Sequence, residues 1–335
     1  MPPHNSANDP RLSGSSHDRA MDYPSHLVLV RSLPDPATEG RSLARAVQRG
    51  ESVRVKRGAY VEFSAWQTLD EEAQHLTRIV AFAESHPGAI FSHHSAALLL
   101  GLPLIGPLPA RVQVIGQRAS GGRSEPGLQR RCVGFDDSEV VTVTGGIRCT
   151  AVLRTLADLA QVQPFAAAVA PLDFALRNKL VTEGVLAEYA AARRGMPGCR
   201  RVQRAFDFGD GRAASPGESL SRAVIHELGF PAPQLQTEHR APRGGKYFTD
   251  FEWPKYRVVA EFDGKGKYTR EEYLGSKSPG EVVYEEKLRE DDLRRESNSV
   301  ARWGWAEALA RNPVRERLLA AGLPIVRRAV RPARS

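Results

Sequence analysis

Two short segments in the last third of the chain combine apolar and acidic side chains, and this combination restricts the possible folds most strongly. Residues 248–253 read Phe-Thr-Asp-Phe-Glu-Trp, residues 258–264 read Val-Val-Ala-Glu-Phe-Asp-Gly, and Pro-Lys-Tyr-Arg stands between them. Aromatic and β-branched runs separated by a short turn are typical of antiparallel strands. The pattern predicts a hairpin with Asp250 on the first strand and Glu261 and Asp263 on the second.

The alternation of side chains along a strand places these acids together. Successive side chains point to opposite faces, so Val259, Glu261 and Asp263 are expected on one face and Val258, Ala260 and Phe262 on the other. Asp250 can lie across from them on the first strand. Carboxylates this close repel one another unless a cation lies between them. The hairpin therefore predicts a site for Mg²⁺ or Mn²⁺.

A helix is predicted immediately before the hairpin. Ser215 is a suitable N-cap, Pro216 suits the first helical position, and Gly229 provides the stop. Glu218 stands at the third helical position, where an acid often completes a capping box with the N-cap residue. Glu218 thus has two interpretations, as a capping partner or as a further acid that reaches the hairpin.

The order of these elements, and two fragments within them, resemble a known fold. A helix with Glu, a strand with Asp, a strand with Glu-x-Asp and a further helix is the order of the PD-(D/E)XK nucleases. The fragments Thr249-Asp-Phe-Glu-Trp-Pro and Glu261-Phe-Asp-Gly resemble the very-short-patch-repair-like branch of that fold. The resemblance runs from about residue 215 to 310 and implies a restriction-endonuclease-like α/β/α domain with a mixed sheet.

The resemblance also implies roles for the acidic residues. Asp250 and Glu261 would hold the metal, Asp263 would lie beside them, and Glu218 would reach in from the helix. The bound metal would polarise the scissile phosphate and lower the pKa of a bound water.

The lysine of the family motif is displaced in this chain. That lysine normally stands two residues after the second acid, where this chain has Asp263. The candidates to replace it are Lys265 and Lys267 on the following loop and Lys287 on a later helix, with Lys267 favoured over Lys287. Such a lysine would orient the water or stabilise charge in the transition state.

The N-terminal part of the chain predicts a helix followed by a basic hairpin. An amphipathic stretch ends at Gly50, and an alternating strand then leads into a turn at Gly58. A winged helix-turn-helix ends in this order, with a recognition helix and a wing that contacts phosphates. The alternative is a small helix-hairpin unit with ordinary surface charge. The basic residues predicted to contact DNA are Arg45, Arg49, Arg54, Lys56 and Arg57.

A second resemblance covers residues 43 to 180. The strings that carry it are Arg57-Gly-Ala-Tyr-Val, Ser92-His-His-Ser-Ala-Ala with Gly101-Leu-Pro, and Thr155-Leu-Ala-Asp-Leu-Ala. They resemble the AbiEi-type antitoxin and transcriptional-regulator proteins of bacteria, which pair a winged helix with an α/β domain. These strings consist mostly of packing and turn residues, so they indicate fold more than activity.

The whole chain is predicted to be an α/β multidomain protein. Its net charge of +8 favours a polyanionic partner such as DNA. No apolar run approaches the roughly 18 residues of a membrane span, and no secretory signal is visible, so a cytoplasmic location is expected. The predicted parts are a disordered leader (1–25), a winged-helix-like region (26–65), an α/β scaffold (66–198), a nuclease-like domain (199–325) and a basic tail (326–335).

These features lead to one hypothesis and two rivals. The leading hypothesis is a DNA-binding protein whose C-terminal domain hydrolyses phosphodiester bonds with Mg²⁺ or Mn²⁺. The first rival is a regulator or antitoxin of a type IV toxin-antitoxin system that binds DNA and keeps the nuclease fold without turnover. The second rival is a partner-binding module that neutralises a cognate toxin.

Overall fold

The computed structural model describes residues 26–117, 124–240, 246–264 and 299–326. The chain divides into two compact units, one formed by Met1–Gly101 with Leu108–Ala151 and the other by Leu102–Pro107 with Val152–Ser335. Helices and sheets occur in both, so the chain is an α/β multidomain protein. The boundary predicted after residue 198 lies inside the second unit. The predicted leader, and all of the predicted tail except its first residue, lie outside the described residues.

The first unit begins with one helix and a small antiparallel sheet. These elements are β1 (Val28–Leu29), α1 (Pro36–Gln48), β2 (Ser52–Lys56) and β3 (Ala59–Glu62). The sheet order is β1-β3-β2, and Gly58 provides the turn of the β2–β3 hairpin with a φ of 80°. The predicted helix followed by a hairpin is confirmed, because Asp35 caps α1 and the glycine allows the left-handed turn.

The rest of the first unit is built around a mixed sheet of five strands. Ile79 and Phe82 of the third helix pack against Phe91 and Leu128 of this sheet. The helices are α2 (Phe63–Thr68), α3 (Glu71–Ala83) and α4 (His93–Leu99). The strands are β4 (Ile90–Phe91), β5 (Val112–Gly116), β6 (Leu128–Cys132), β7 (Val140–Val143) and β8 (Ile147–Thr150). Their order in the sheet is β6-β5-β4-β8-β7.

The second unit combines a group of helices with a four-stranded sheet. The helices before the sheet are α5 (Val152–Val162), α6 (Phe165–Arg177), α7 (Glu183–Ala192), α8 (Cys199–Phe208) and α9 (Pro216–Leu228). The strands are β9 (Gln234–Arg240), β10 (Lys246–Trp253), β11 (Val258–Phe262) and β12 (Ser299–Trp303). The helices α10 (Trp305–Ala310) and α11 (Asn312–Ala320) follow. The sheet order is β12-β11-β10-β9, and only the β11–β12 pair among these described strands is parallel.

Helix α9 packs on this mixed sheet through its apolar face. Leu220 and Val224 belong to the same buried cluster as Phe251 and Trp303. The Trp303 ring stacks on Phe251 with centroids 5.9 Å apart, and its indole N–H donates to Ser221 Oγ at 2.8 Å. Burying an indole with its N–H satisfied stabilises the contact between helix and sheet. The start of α9 is thereby fixed relative to the strands that carry the acids.

A buried ion pair joins α6 to α9. Arg222 Nη2 lies 2.7 and 2.8 Å from the two carboxylate oxygens of Asp173, and its guanidinium lies 4.1 Å from the ring centroid of Phe208. Burial raises the pKa of the Asp173 carboxyl, while the neighbouring Arg222 opposes that shift. The pair therefore holds two helices together at a site that water does not reach.

The buried imidazole of His75 on α3 gives the first unit a predictable response to acid. Burial, assisted by Arg78 and His94, lowers the pKa of His75 from 6.5 to about 4. The folded unit therefore keeps His75 neutral below pH 6.5, where the unfolded chain already takes up a proton. We expect the free energy of unfolding to fall by about 3 kcal/mol as the pH drops from 6.5 to 4.

Urea unfolding of the full chain, followed by circular dichroism at several pH values, measures this effect. The His75→Gln variant keeps a hydrogen-bonding group for Ser95, whose Oγ lies 3.0 Å from His75 Nε2, but does not titrate. This variant should lose less stability between pH 7 and pH 5 than the wild type. An equal loss in both proteins would assign the acid response to other groups, of which His94, whose pKa burial also lowers, is the first candidate.

Candidate functional site

The start of α9 carries Glu218 and is anchored by its own capping bonds. Ser215 Oγ accepts from the backbone N–H of Glu218 at 3.2 Å, and the Glu218 carboxylate accepts from Ala214 N and Ser215 Oγ at 2.8 Å each. Gly229 ends the helix with a φ of 88°. The predicted helix is confirmed, and Glu218 caps its start, although it accepts from Ala214 N and Ser215 Oγ and not from the Ser215 backbone N–H as in a capping box.

A glycine brings this helix start close to the end of β11. A Cβ atom added to Gly217 would overlap the ring of Phe262, so the second residue of α9 must be a glycine for the helix to lie there. This close contact places the Glu218 side chain beside the sheet, where it is buried with 4% of its surface exposed. Tertiary packing therefore gives Glu218 a position next to the hairpin in addition to its capping role.

The predicted hairpin is confirmed, and it brings Asp250 and Glu261 together. Strands β10 and β11 are antiparallel with Phe251 paired to Ala260, and Asp250 and Glu261 are the next residues of the two strands beyond this pair. Asp250 and Glu261 are both buried, with 7% and 8% of their surface exposed. Asp250 Oδ2 also accepts from the backbone N–H of Phe262 at 2.8 Å.

Gln236 on β9 connects Glu218 with Asp250. Its side-chain amide donates to Glu218 Oε2 at 2.8 Å and to Asp250 Oδ1 at 3.2 Å. The backbone of Gln236 has a φ of 50°, a left-handed conformation that is rare for a residue with a side chain. Such conformations persist only where the surroundings impose them, and they cluster at functional sites. The sequence interpretation did not include Gln236.

Arg302 on β12 is paired with Glu261. The parallel register of β11 and β12 places the two residues side by side, and Arg302 Nη2 lies 3.0 Å from Glu261 Oε2. The guanidinium compensates part of the negative charge of the buried acids, because an opposite charge at this distance favours an ionised carboxylate. This cation was also missed from the sequence.

The other predicted residues of the site lie at its edge or outside the residues that the structure describes. Asp263 follows the last residue of β11, is exposed, and donates its backbone N–H to Trp303 O at 2.8 Å. The candidate lysines, Lys265, Lys267 and Lys287, lie outside the described residues.

The carboxylates do not form a three-ligand group. Within residues 26–117, 124–240, 246–264 and 299–326, no set of three or more His, Cys, Asp or Glu side chains is placed to hold a metal ion. Asp250 and Glu261 lie on adjacent strands, and the side-chain amide of Gln236 bridges Glu218 and Asp250. The described part of the chain thus holds Asp250 and Glu261 on adjacent strands, Glu218 linked to Asp250 by an amide, and Asp263 exposed after β11.

The basic residues predicted to contact DNA differ in their surroundings. Arg45, Arg54 and Arg57 are exposed. Arg49 is exposed as well, but Glu51 accepts from its guanidinium at 2.8 and 2.7 Å and raises its pKa. Lys56 instead lies against α3. Its Nζ stands 4.4 Å from the ring centroid of Phe82, and partial burial lowers its pKa.

Comparison with known proteins gives a narrow result. The chain matches no known protein-family model. It is 35% identical over 96 residues to two proteins from different strains of Mycobacterium tuberculosis, whose names describe them as uncharacterized. The match covers 29% of this chain and 35% of each relative, so the chain spans about a third of the curated relatives it matches. Among the described helices, none is both long and apolar enough to cross a membrane.

Proposed function

We propose that this protein binds DNA and that its second unit hydrolyses phosphodiester bonds with a divalent metal ion. The observation that carries the proposal is the presence of two buried carboxylates, Asp250 and Glu261, on adjacent antiparallel strands. Two buried acids on adjacent strands favour a cation near them, and Arg302 lies 3.0 Å from one of the two. The resemblance to PD-(D/E)XK nucleases assigns metal binding to the same two residues.

The donor set suits a hard divalent cation. Mg²⁺ is commonly bound by one or two carboxylates together with waters and substrate phosphates, which a two-carboxylate site accommodates. When bound, such an ion polarises a phosphate and makes a hydroxide available near neutral pH. The residues fit Mg²⁺ or Mn²⁺ because both proposed ligands, Asp250 and Glu261, are carboxylates on strands held in register.

The remaining residues of the site act on these two ligands. Gln236 and the backbone N–H of Phe262 each donate to one oxygen of Asp250, which fixes the orientation of that carboxylate. Glu218 in turn holds the Gln236 amide. Loss of a hydrogen bond of this kind to a metal ligand commonly lowers metal affinity or activity by about 10- to 100-fold. Lys267 or Lys287 is proposed to supply the cation that stabilises negative charge in the transition state.

The first unit is proposed to hold the DNA as a winged helix does. Helix α1 followed by the β2–β3 hairpin has the order of a recognition helix and its wing. The exposed arginines Arg45, Arg54 and Arg57, together with Arg49, would contact phosphates, and the net charge of +8 supports such a partner. Lys56 contributes less because it is packed against α3.

Two observations favour a second candidate, a DNA-binding regulator or antitoxin without turnover. Glu261 is already paired with Arg302, and Gln236 satisfies both Glu218 and Asp250. Acids neutralised within the protein have less need of a metal. A cognate toxin would then be a further partner.

Cleavage of supercoiled plasmid by the full chain distinguishes these candidates. The reactions contain Mg²⁺, Mn²⁺ or EDTA, and a gel-shift assay in the same buffers measures DNA binding. Nicking that requires a divalent ion supports the hydrolase. Binding without nicking in any buffer supports the regulator, and the absence of both contradicts the proposal and its alternative together.

Replacement of Arg302 tests whether this cation competes with the metal. Arg302→Gln removes the charge 3.0 Å from Glu261, so we expect Mn²⁺ to bind about threefold to tenfold more tightly, an effect of about 1 kcal/mol typical of such pairs. Isothermal titration calorimetry with Mn²⁺ measures the change. Arg315→Gln, on the exposed face of α11, is the matched control. Unchanged or weaker binding in Arg302→Gln would assign Arg302 a role in holding the strands instead.

A further inference from the structure

A pocket of about 650 Å³ lies among the helices of the second unit, at a different place from the acidic pair. It is formed by the start of α6, the end of α7, most of α8 and the last turn of α9. Pockets that bind small molecules typically have volumes of about 300 to 1,000 Å³. Helix α9 carries Glu218 near its start and His226 in its last turn, a separation of about 12 Å along the axis.

One wall of this pocket is a cluster of three aromatic rings. Phe165, Phe208 and His226 all line the pocket, and each is partly buried. The ring centroids of Phe165 and Phe208 are 5.1 Å apart, and those of Phe208 and His226 are 4.7 Å apart. Aromatic surfaces of this kind stack on flat aromatic groups, including any of the nucleobases.

Three arginines at the pocket favour a ligand that also carries a negative charge. Arg194, Arg200 and Arg204 line the pocket together with a single acid, Asp207. Asp207 already accepts from the side-chain amide of Gln203 at 2.6 Å. No ion pair of Arg194 or Arg200 with a carboxylate is found among the described residues. Guanidinium groups gathered in this way bind phosphate well, because they present several donors in a fixed plane.

Arg204 joins the aromatic wall to the charged rim. Its guanidinium lies 3.9 Å from the ring centroid of Phe165 and 3.5 Å from Glu227 Oε1. Glu227 also forms an ion pair with Arg311, so Arg204 shares this carboxylate with another arginine. The pocket therefore keeps an excess of positive charge directly beside its stacking surface.

From this juxtaposition we infer that the pocket binds a nucleotide, with the base against Phe165, Phe208 and His226 and the phosphate on Arg194, Arg200 and Arg204. A purely apolar ligand would leave the guanidinium rim unused, and a simple anion would leave the aromatic wall unused. The ligand is either a free mononucleotide or the terminal nucleotide of a single strand. The inference stands on these residues and does not rest on the proposed hydrolysis.

Calorimetric titration of the full chain in EDTA tests the inference. The probes are deoxyadenosine monophosphate, deoxyadenosine, inorganic phosphate and a short single-stranded oligonucleotide. The monophosphate is expected to bind more tightly than the nucleoside and than phosphate. Tighter binding of the oligonucleotide than of the monophosphate, lost in Arg200→Gln, would identify a strand end as the source of the ligand, and the reverse order would identify a free nucleotide.

Matched arginine variants locate the binding. Arg200→Gln removes an exposed charge at the pocket and should weaken binding of the monophosphate by about tenfold, as expected for one charge-assisted hydrogen bond. Arg315→Gln removes an exposed charge from α11, which does not line the pocket, and should leave the affinity within about twofold. Asp250→Asn should bind the monophosphate as the wild type does, which separates this site from the proposed hydrolase.

A cysteine in the pocket wall supplies a second readout. Cys199 lines the pocket, whereas Cys132 lies in the first unit and is similarly half-buried. Saturating monophosphate should slow alkylation of Cys199, measured by peptide mass spectrometry, and leave Cys132 unchanged. The inference is overturned if no probe binds, if phosphate alone binds as tightly as the nucleotide, or if Arg200→Gln and Arg315→Gln behave alike.

Discussion

Asp250→Asn and Glu261→Gln are each expected to lower the rate of metal-dependent plasmid cleavage by more than about 100-fold. Loss of a residue that only orients a metal ligand commonly costs about 10- to 100-fold, so loss of the ligand itself should cost more. Both substitutions keep the shape of the side chain while removing its charge. Asp250 and Glu261 are the two proposed ligands, on adjacent strands, so either change should remove half of the proposed metal site.

Glu238→Gln is the control for these two variants. Glu238 lies on β9 of the same sheet, is exposed, and pairs with Lys246 at 2.8 Å, so its loss should leave cleavage within about twofold of the wild type. Thermal unfolding of every variant verifies that the sheet remains folded. Cleavage at the wild-type rate by Asp250→Asn or Glu261→Gln would show that the replaced carboxylate is not required for hydrolysis. Gln236→Leu should give an intermediate loss, since Gln236 orients Asp250 without being a ligand.

Arg222→Met is expected to lower the free energy of unfolding of the second unit by about 3 to 5 kcal/mol. Breaking a buried ion pair by removing one partner leaves the other charge buried without compensation. Arg222 contacts both carboxylate oxygens of Asp173, and Asp173 is fully buried with no exposed surface. Urea unfolding of the full chain at neutral pH measures the loss.

An exposed ion pair in the same unit provides the comparison. The Arg212 side chain is 67% exposed and lies 2.7 Å from Asp210, so Arg212→Met should cost less than about 1 kcal/mol. Burial already raises the pKa of Asp173, and removal of Arg222 should raise it further. The deficit of Arg222→Met should therefore shrink as the pH falls and Asp173 becomes protonated. A deficit equal to that of Arg212→Met, or one independent of pH, would contradict this account.

The elements that carry the acids were predictable because their signals are local. Ser215, Pro216 and Gly229 mark the start and end of α9 through backbone preferences that hold in any tertiary context. The alternation in residues 258–263 likewise assigns Glu261 to one face of its strand. A short turn leaves few registers for the hairpin, which is why the placement of Asp250 and Glu261 on adjacent antiparallel strands could be anticipated.

The partners of these acids were not predictable. Arg302 reaches Glu261 through a parallel pairing of strands that are distant in the chain, and no turn fixes the register of such a pair. Gln236 reaches Glu218 and Asp250 from a left-handed backbone position that a strand pattern does not indicate. The placement of α5 to α7 in the same unit as the acidic sheet also differs from the predicted boundary after residue 198.

The sequence by itself determined the capped helix, the hairpin and the shared location of Asp250 and Glu261, because hydrogen-bond geometry and side-chain alternation act over a few neighbouring residues. Only the tertiary structure decided that Arg302 compensates Glu261, that Gln236 links Glu218 to Asp250, and that residues of four helices form an arginine-rimmed aromatic pocket. These contacts join residues far apart in the chain. They depend on how whole elements pack, since a side chain acquires its electrostatic surroundings only when those elements meet.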